Sequence, residues 1–209
     1  MASSTNAVKI VLMGQGGVGK TALVTRFSRD EFLEGYAPTI GDMYTKDIEL
    51  DGAPRHLEID DTAGQEAYAD LRNEKLGTGD GYILVYAIND DTTFAKLDKV
   101  RTAIKATHKG DPVIMLVATK ADLEDSRAVE TSEGRKKARE WGAEFFEASA
   151  KTDSEGVKHV FETIVRSVIS SSGDTSKGMG TSMFGDGKAK KLTAEKAAPA
   201  KPVRRCALL

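Results

Sequence analysis

The sequence predicts an α/β fold: a mostly parallel six-stranded sheet with one antiparallel edge strand and helices on both faces. Three observations predict it. Short apolar runs rich in Val and Ile alternate with segments of helical periodicity, the pattern of parallel strands joined by crossover helices. Several of these runs are continuously apolar, as strands covered on both faces are. One Asp51-Gly52 pair stands between two alternating stretches and marks a hairpin, hence one antiparallel pairing.

The elements follow in order. "VKIVLM" (8–13) reads as a buried strand, and a helix is expected from 19 to about 28. "YTKDIEL" (44–50) and "PRHLEID" (54–60) flank the Asp-Gly turn as the hairpin strands. "YILVYAI" (82–88) and "VIMLVA" (113–118) are further buried strands, and "AEFFEA" (143–148) a short one. Helical patterns cover 92–107, 131–142 and 155–170. After Ile169 the chain turns to Gly, Ser, Lys and Ala with few large apolar residues. Such a segment cannot bury enough surface to offset its ordering entropy. The expected division is a globular domain at 1–170 and a disordered basic tail at 171–209.

With 40% hydrophobic residues the chain can build a full core, and 30% charged residues suit a solvated surface. A single cysteine, Cys206, excludes an intrachain disulfide and fits a reducing compartment. The start, "MASSTNAVKI", lacks the basic and long apolar stretches of a signal peptide, and Ala2 stands where myristoylation needs glycine. The longest apolar runs are strand-sized, far short of a membrane span. The net charge of −2 conceals an asymmetry: 173–209 carries eight Lys/Arg against three Asp/Glu, so the body is acidic and the tail basic. A basic arm on an acidic body suits an anionic partner, membrane or nucleic acid, or is a solvated linker.

The first strand runs into "GQGGVGKT" (14–21), which matches G-x-x-x-x-G-K-[ST]. Glycines let backbone N–H groups curl around a phosphate, and the helix N-terminus adds partial positive charge. Lys20 is placed to reach the β- and γ-phosphates and the Thr21 hydroxyl to ligand Mg²⁺. Gly14, Gly16 and Gly19 also fit the dinucleotide pattern G-x-G-x-x-G. That site needs a second strand ending in an acidic residue, and "TRFSRDEFLEGYAPT" is polar and broken by Gly and Pro.

Three further motifs fall after predicted strands, where open α/β sheets bind ligands: "DTAGQE" (61–66), "TKAD" (119–122) and "SAK" (149–151). The Asp122 carboxylate can accept two hydrogen bonds from the N1–H and N2–H₂ edge of guanine, a pair of donors adenine lacks. The Ala150 N–H can donate to guanine O6. The wrong base would leave these groups unpaired.

With these motifs in this order, 8–169 resembles a small GTPase of the Ras superfamily, most like the Ras/Rap branch. The branch expectation rests on "YAPTIGDMY" (36–44), similar to the Ras effector segment Y-D-P-T-I-E-D-S-Y, and on the terminal "CALL". The resemblance implies a P-loop small G domain that binds GTP and GDP with Mg²⁺. It implies that Gly16, Gly17, Val18, Gly19, Lys20, Thr21 and Ala22 hold the phosphates. Phe32 would pack edge-on against the base, with Lys120 along it, and Tyr36 and Pro38 would lie near the nucleotide. Thr119, Asp122, Ser149, Ala150 and Lys151 would complete the base site. Thr21 and Thr39 would ligand the metal, with Asp61 acting through water. Gly64 would contact the γ-phosphate and Gln65 orient the attacking water. Catalysis would fall to Gln65, Lys20 and Thr39. Tyr36, Ala37, Pro38, Thr39, Ile40, Gly41, Asp42, Met43 and Tyr44 would form the effector segment.

The chain departs from the Ras pattern at several positions. Thr119 replaces the asparagine of N-K-x-D, as it does in the Rho branch. Ala37, Gly41 and Met43 replace effector-loop residues, which weakens any inference to Ras partners. Asp60 replaces a usual apolar residue. Alternation in "HLEID" puts it opposite Leu57 and Ile59, so it is expected to face outward, either as an ordinary strand-end charge or, in the preferred reading, as an altered exchange-factor or effector surface.

The implied activity is a GTP/GDP switch with slow hydrolysis, acting as a monomer with exchange factors, GTPase-activating proteins and effectors. The γ-phosphate would order 34–42 and 62–75. The alternative is a GTP-bound scaffold with negligible hydrolysis. Cys206-Ala207-Leu208-Leu209 fits C-a-a-X, with terminal Leu favouring geranylgeranylation. One lipid anchors marginally, so the tail's lysines and arginines are expected as the second signal. That resolves the tail's partner as an anionic membrane and not nucleic acid. The expected place is the cytoplasmic face of the plasma membrane.

Overall fold

The computed structural model describes residues 7–35, 39–64 and 74–173. Six strands pair in the order β2-β3-β1-β4-β5-β6: β1 (Val8–Met13), β2 (Gly41–Leu50), β3 (Ala53–Thr62), β4 (Gly81–Ala87), β5 (Val113–Thr119) and β6 (Glu144–Glu147). All pairings are parallel except β2 with β3, which runs antiparallel from Gly41 opposite Thr62 to Leu50 opposite Ala53. The turn between them has positive φ at both Asp51 (52°) and Gly52 (75°), the hand that matches strand twist.

Alternation within the central strands creates two cores. In β1, Ile10 and Leu12 join one buried cluster, and Val11 and Met13 the other. In β4, Ile83 and Val85 go to the first, and Tyr82, Leu84 and Tyr86 to the second. The first face is covered by α1 (Lys20–Arg29) and the second by α2 (Asp91–Ala95), α3 (Leu97–Thr107) and α4 (Thr131–Trp141); α5 (Ser154–Ser171) lies with α1. Val157, Val160, Phe161, Ile164, Val165 and Val168 form a stripe along α5 at helical spacing, and Phe161 stacks on Phe27 of α1 with ring centroids 4.1 Å apart. A capping box between Glu130 and Glu133 starts α4, and left-handed Gly142 ends it.

The α/β expectation holds: six strands, mostly parallel, one antiparallel edge strand and helices on both faces. Two details differ: β2 begins at Gly41, ahead of the expected 44–50, and 92–107 reads as one helix, but the structure interrupts it at Lys96. The Thr93 hydroxyl donates to Asp90 O and accepts from Ala87 N, which ties the first turn to the end of β4. Among the described residues no helix is long and apolar enough to cross a membrane.

Candidate nucleotide site

A cleft of about 630 Å³ opens at the carboxyl ends of β1 and β5, lined by the loop after β1, the start of α1, the 32–35 stretch, Thr39, Gly64, the 119–123 loop and the 150–151 loop. At one end the chain leaves β1 and enters α1 through left-handed Gly17 and Gly19 (φ 77° and 96°). No side chain caps α1, so its first amides remain available to an anion. Lys20 is buried, and its ammonium donates to Gly14 O (3.1 Å) and Gln15 O (3.0 Å), inside the curl of the loop. Gly64 presses on this loop: a Cβ there would stand 2.4 Å from Gly16 N, so only glycine fits.

Beside Lys20 three oxygens converge from three elements. Thr21 Oγ1 donates to Asp61 Oδ2 at 2.6 Å and lies 2.8 Å from Thr39 Oγ1. Asp61 is buried, and burial pushes its carboxyl up to about 6, opposed by the Thr21 hydroxyl and the Lys20 charge. Among the described residues its Oδ1 has no hydrogen-bond partner. Two hydroxyls and a desolvated carboxylate with a spare oxygen suit a hard divalent cation such as Mg²⁺, whose charge would offset the desolvation. Among the described residues there is no cluster of three or more His, Cys, Asp or Glu side chains that could hold a metal.

At the other end Ser149 Oγ donates to Asp122 Oδ1 (2.6 Å) and accepts from the amides of Lys151 and Thr152 (both 3.2 Å). The hydroxyl thereby fixes the carboxylate and the turn presenting Ala150. Thr119 is buried, with its hydroxyl against Tyr86 O (2.8 Å) and Val18 O. A threonine here links the end of β5 to β4 and to the loop after β1. Phe32 is half-buried at the cleft edge, packed on the first core.

Of the residues singled out from the sequence, Gly16, Gly17, Gly19, Lys20, Thr21, Ala22, Phe32, Thr39, Gly64, Thr119, Lys120, Asp122, Ala150 and Lys151 line the cleft. Val18 and Ser149 stand behind its wall: Val18 is 1% exposed and Ser149 3%. Tyr36, Ala37, Pro38, Gln65 and Cys206 lie outside the described residues. Thr25, Leu33, Glu34, Gly35 and Leu123 also line the cleft, and no motif signalled them. Ile40 and Met43, from the expected effector segment, are exposed near the start of edge strand β2.

The outward reading of Asp60 is corrected. Asp60 does alternate with Ile59, but it is only 3% exposed, because Lys9 Nζ (3.2 Å) and Lys75 Nζ (3.1 Å) close over it. Both lysines come from other segments, which strand periodicity cannot reveal. A partner at this surface would meet Lys75, Ile40 and Met43 before Asp60. They share a second cavity of about 280 Å³ with Asp42, Asp61 and Glu74.

The Ras family model matches residues 9–170. The chain is 42% identical over 169 residues to the Ras-related protein O-RAL of Diplobatis ommata, covering 79% of this chain and 81% of that one. It is 42% identical over 163 residues to the Ras-related proteins ralB-B and ralB-A of Xenopus laevis, covering 77% of this chain and 78% of theirs. These relatives overturn the Ras/Rap branch expectation. That expectation rested on a short effector segment, which departs from the Ras pattern at Ala37, Gly41 and Met43, and on the last four residues. Such stretches carry little branch information beside an alignment over most of the chain. The chain belongs to the Ras family, as a small-GTPase domain whose likeness is to the Ral branch.

Proposed function

We propose that the protein is a GTP/GDP switch that hydrolyses GTP slowly and relays signals from a membrane to effector proteins. The observation that carries this reading is the convergence of Thr21, Thr39 and Asp61 beside Lys20. Thr39 comes from the segment leading into β2, so a γ-phosphate contacted there would be felt by that segment. Lys20 exchanges its two carbonyl partners for phosphate oxygens, and the open amides of the loop and α1 hold the rest. Thr21 and Thr39, with Asp61 through water, would hold Mg²⁺, which supplies charge neutralisation at the β- and γ-phosphates. Asp122, held by Ser149, accepts from guanine, while the Ala150 amide donates to O6. Gln65 orients the attacking water. Arg29, at the end of α1, stacks on Tyr44 at 5.7 Å and is not offered to the cleft. Intrinsic turnover is therefore expected at about 10⁻⁴–10⁻³ s⁻¹, with acceleration left to an activating protein.

Residues 171–209 serve in this reading as a basic tether to a prenyl group on Cys206, placing the domain at a cytoplasmic membrane face. Exchange factors, activating proteins and effectors are the partners. Single-turnover GTP hydrolysis tests the reading against a non-hydrolysing scaffold. GTP is expected to be retained and converted slowly, with Gln65→Leu slowing stimulated turnover and leaving affinity nearly unchanged. Binding without conversion in the presence of an activating protein would favour the scaffold. Stimulated turnover of Gln65→Leu equal to wild type would remove Gln65 from its role.

A further inference from the structure

Arg26 lies on α1 beyond the phosphate-loop residues, and it belongs to none of the motifs. Its side chain is 15% exposed. The guanidinium reaches the 150–151 loop and, four residues on, Asp30 at the C-cap of its own helix. Nε–H donates to Ala150 O at 2.6 Å, and Nη2 to Lys151 O at 3.4 Å. Nη1 donates to Asp30 O at 2.9 Å and Asp30 Oδ1 at 3.3 Å. Asp30 sits in the left-handed region (φ 56°) and opens the stretch that carries Phe32, and its carboxylate also accepts from Ser154 Oγ at 2.6 Å. Hydrogen bonds from Ser154 and then Arg26 hold the Asp30 carboxyl below its usual range. Among the described residues one other ion pair crosses between these two segments, Lys151 with Glu34 at 4.0 Å, and both are exposed, so it contributes little.

We infer that Arg26 is a positioning residue that prolongs nucleotide retention by tying the Ala150 loop to the Phe32 segment. The inference rests on the nucleotide-binding reading and concerns the base end of that site. A bound base lies between these segments, so release requires them to part. Parting them breaks charge-assisted hydrogen bonds from one preorganised fork. Lysine is a point charge on a flexible stem and lacks the planar fork, so it does not reproduce this set of contacts. The tie touches neither the phosphates nor the attacking water, so the chemical step is not expected to depend on it.

The test is release of fluorescent mant-GDP from the full-length chain, in Mg²⁺ and in chelator, beside single-turnover GTP hydrolysis. Arg26→Met keeps the apolar stem and removes the fork. It is expected to speed release about tenfold, by a similar factor with and without Mg²⁺, while the hydrolysis constant stays within about twofold of wild type. Arg26→Lys should fall between wild type and Arg26→Met. Asp30→Gly, which suits the left-handed backbone, removes one carboxylate from the tie and should give a smaller acceleration; it serves if Arg26→Met does not fold. Release within about twofold of wild type in Arg26→Met and Asp30→Gly would overturn the tie, as would acceleration confined to Mg²⁺ or a parallel fall in hydrolysis. A wild-type chain that takes up no mant-GDP would instead sink the nucleotide reading itself.

Discussion

Asp60 Oδ1 lies 3.1 Å from Lys75 Nζ, which joins β3 to the stretch beginning at 74 across the floor of the smaller cavity. Lys9 closes the other oxygen at 3.2 Å. The carboxylate side chain is 4% exposed, the lysines 26% and 39%, so the three groups are unequally dependent on the pair.

That inequality gives the first prediction. Asp60→Leu leaves two lysines that can turn to water, and should change stability by no more than about 1 kcal/mol. Lys9→Met with Lys75→Met leaves a buried carboxylate uncompensated and should cost about 3 kcal/mol or more. Urea unfolding of the Mg²⁺·GDP form measures both. If Asp60→Leu is the more damaging change, the pair holds the fold in some other way.

Asp61 gives the second. Its folded carboxyl is raised to about 6 from 3.8, chiefly by burial. A raised carboxyl stabilises the fold below pH 3.8, and that contribution is lost as pH rises through about 6. Metal-free protein near pH 7.5 therefore holds a strained carboxylate. Asp61→Asn should make the metal-free protein more stable there by about 1–3 kcal/mol, with the gap closing toward pH 4. In saturating Mg²⁺ the order should reverse, since the variant lacks the charge that favours the cation. Thermal unfolding in chelator and in Mg²⁺ decides it: a variant less stable than wild type in both would contradict the assigned strain.

The proposed base-reading pair, Asp122 and Ser149, gives the third. Asp122→Ala should lower GTP affinity by about 1.5–3 kcal/mol or more, the scale of a hydrogen bond to a charged group, and lessen discrimination against ATP. Ser149→Ala leaves Asp122 ionised but free to turn, and should lose less, about 0.5–1.5 kcal/mol. Competition between GTP and ATP is the measurement. Unchanged discrimination in Asp122→Ala would mean another group reads the base.

Much of this was legible in the sequence for local reasons. β1 and the loop after it declare themselves through an apolar run, glycines and Lys20-Thr21, all within one stretch of chain. The Asp51-Gly52 hairpin is legible because two neighbouring residues set its turn. Asp60 and Arg26 were not, because each is defined by partners far along the chain: Lys75 for one, Ala150 and Lys151 for the other. A polar residue in a pattern says which face it occupies, not what folds over that face. The pause at Lys96 was hidden for a related reason, since Thr93 is drawn aside by the end of β4. Branch membership is spread over the whole domain, and the effector segment and last four residues misread it.

Cys206 carries the last prediction, which concerns the proposed anchor. The chain's single cysteine stands fourth from the end in C-a-a-X context. In that proposal a second lipid chain has no thiol to use, so charge would supply the rest of the attachment. Lys188, Lys190, Lys191, Lys196, Lys201, Arg204 and Arg205 stand against Glu195 in that stretch. At about 1 kcal/mol for each basic residue near an anionic leaflet, half of them would turn marginal attachment into stable attachment. Cys206→Ser should therefore leave GTP binding unaltered and move the protein into the soluble fraction of cells expressing it. Replacing the seven basic residues with Gln should release it only in part, or shift it to less anionic membranes. Fractionation alongside nucleotide binding measures both variants. A Cys206→Ser protein that remains in the membrane pellet would exclude the lipid, and full release by the Gln variant would make charge, not lipid, the principal anchor.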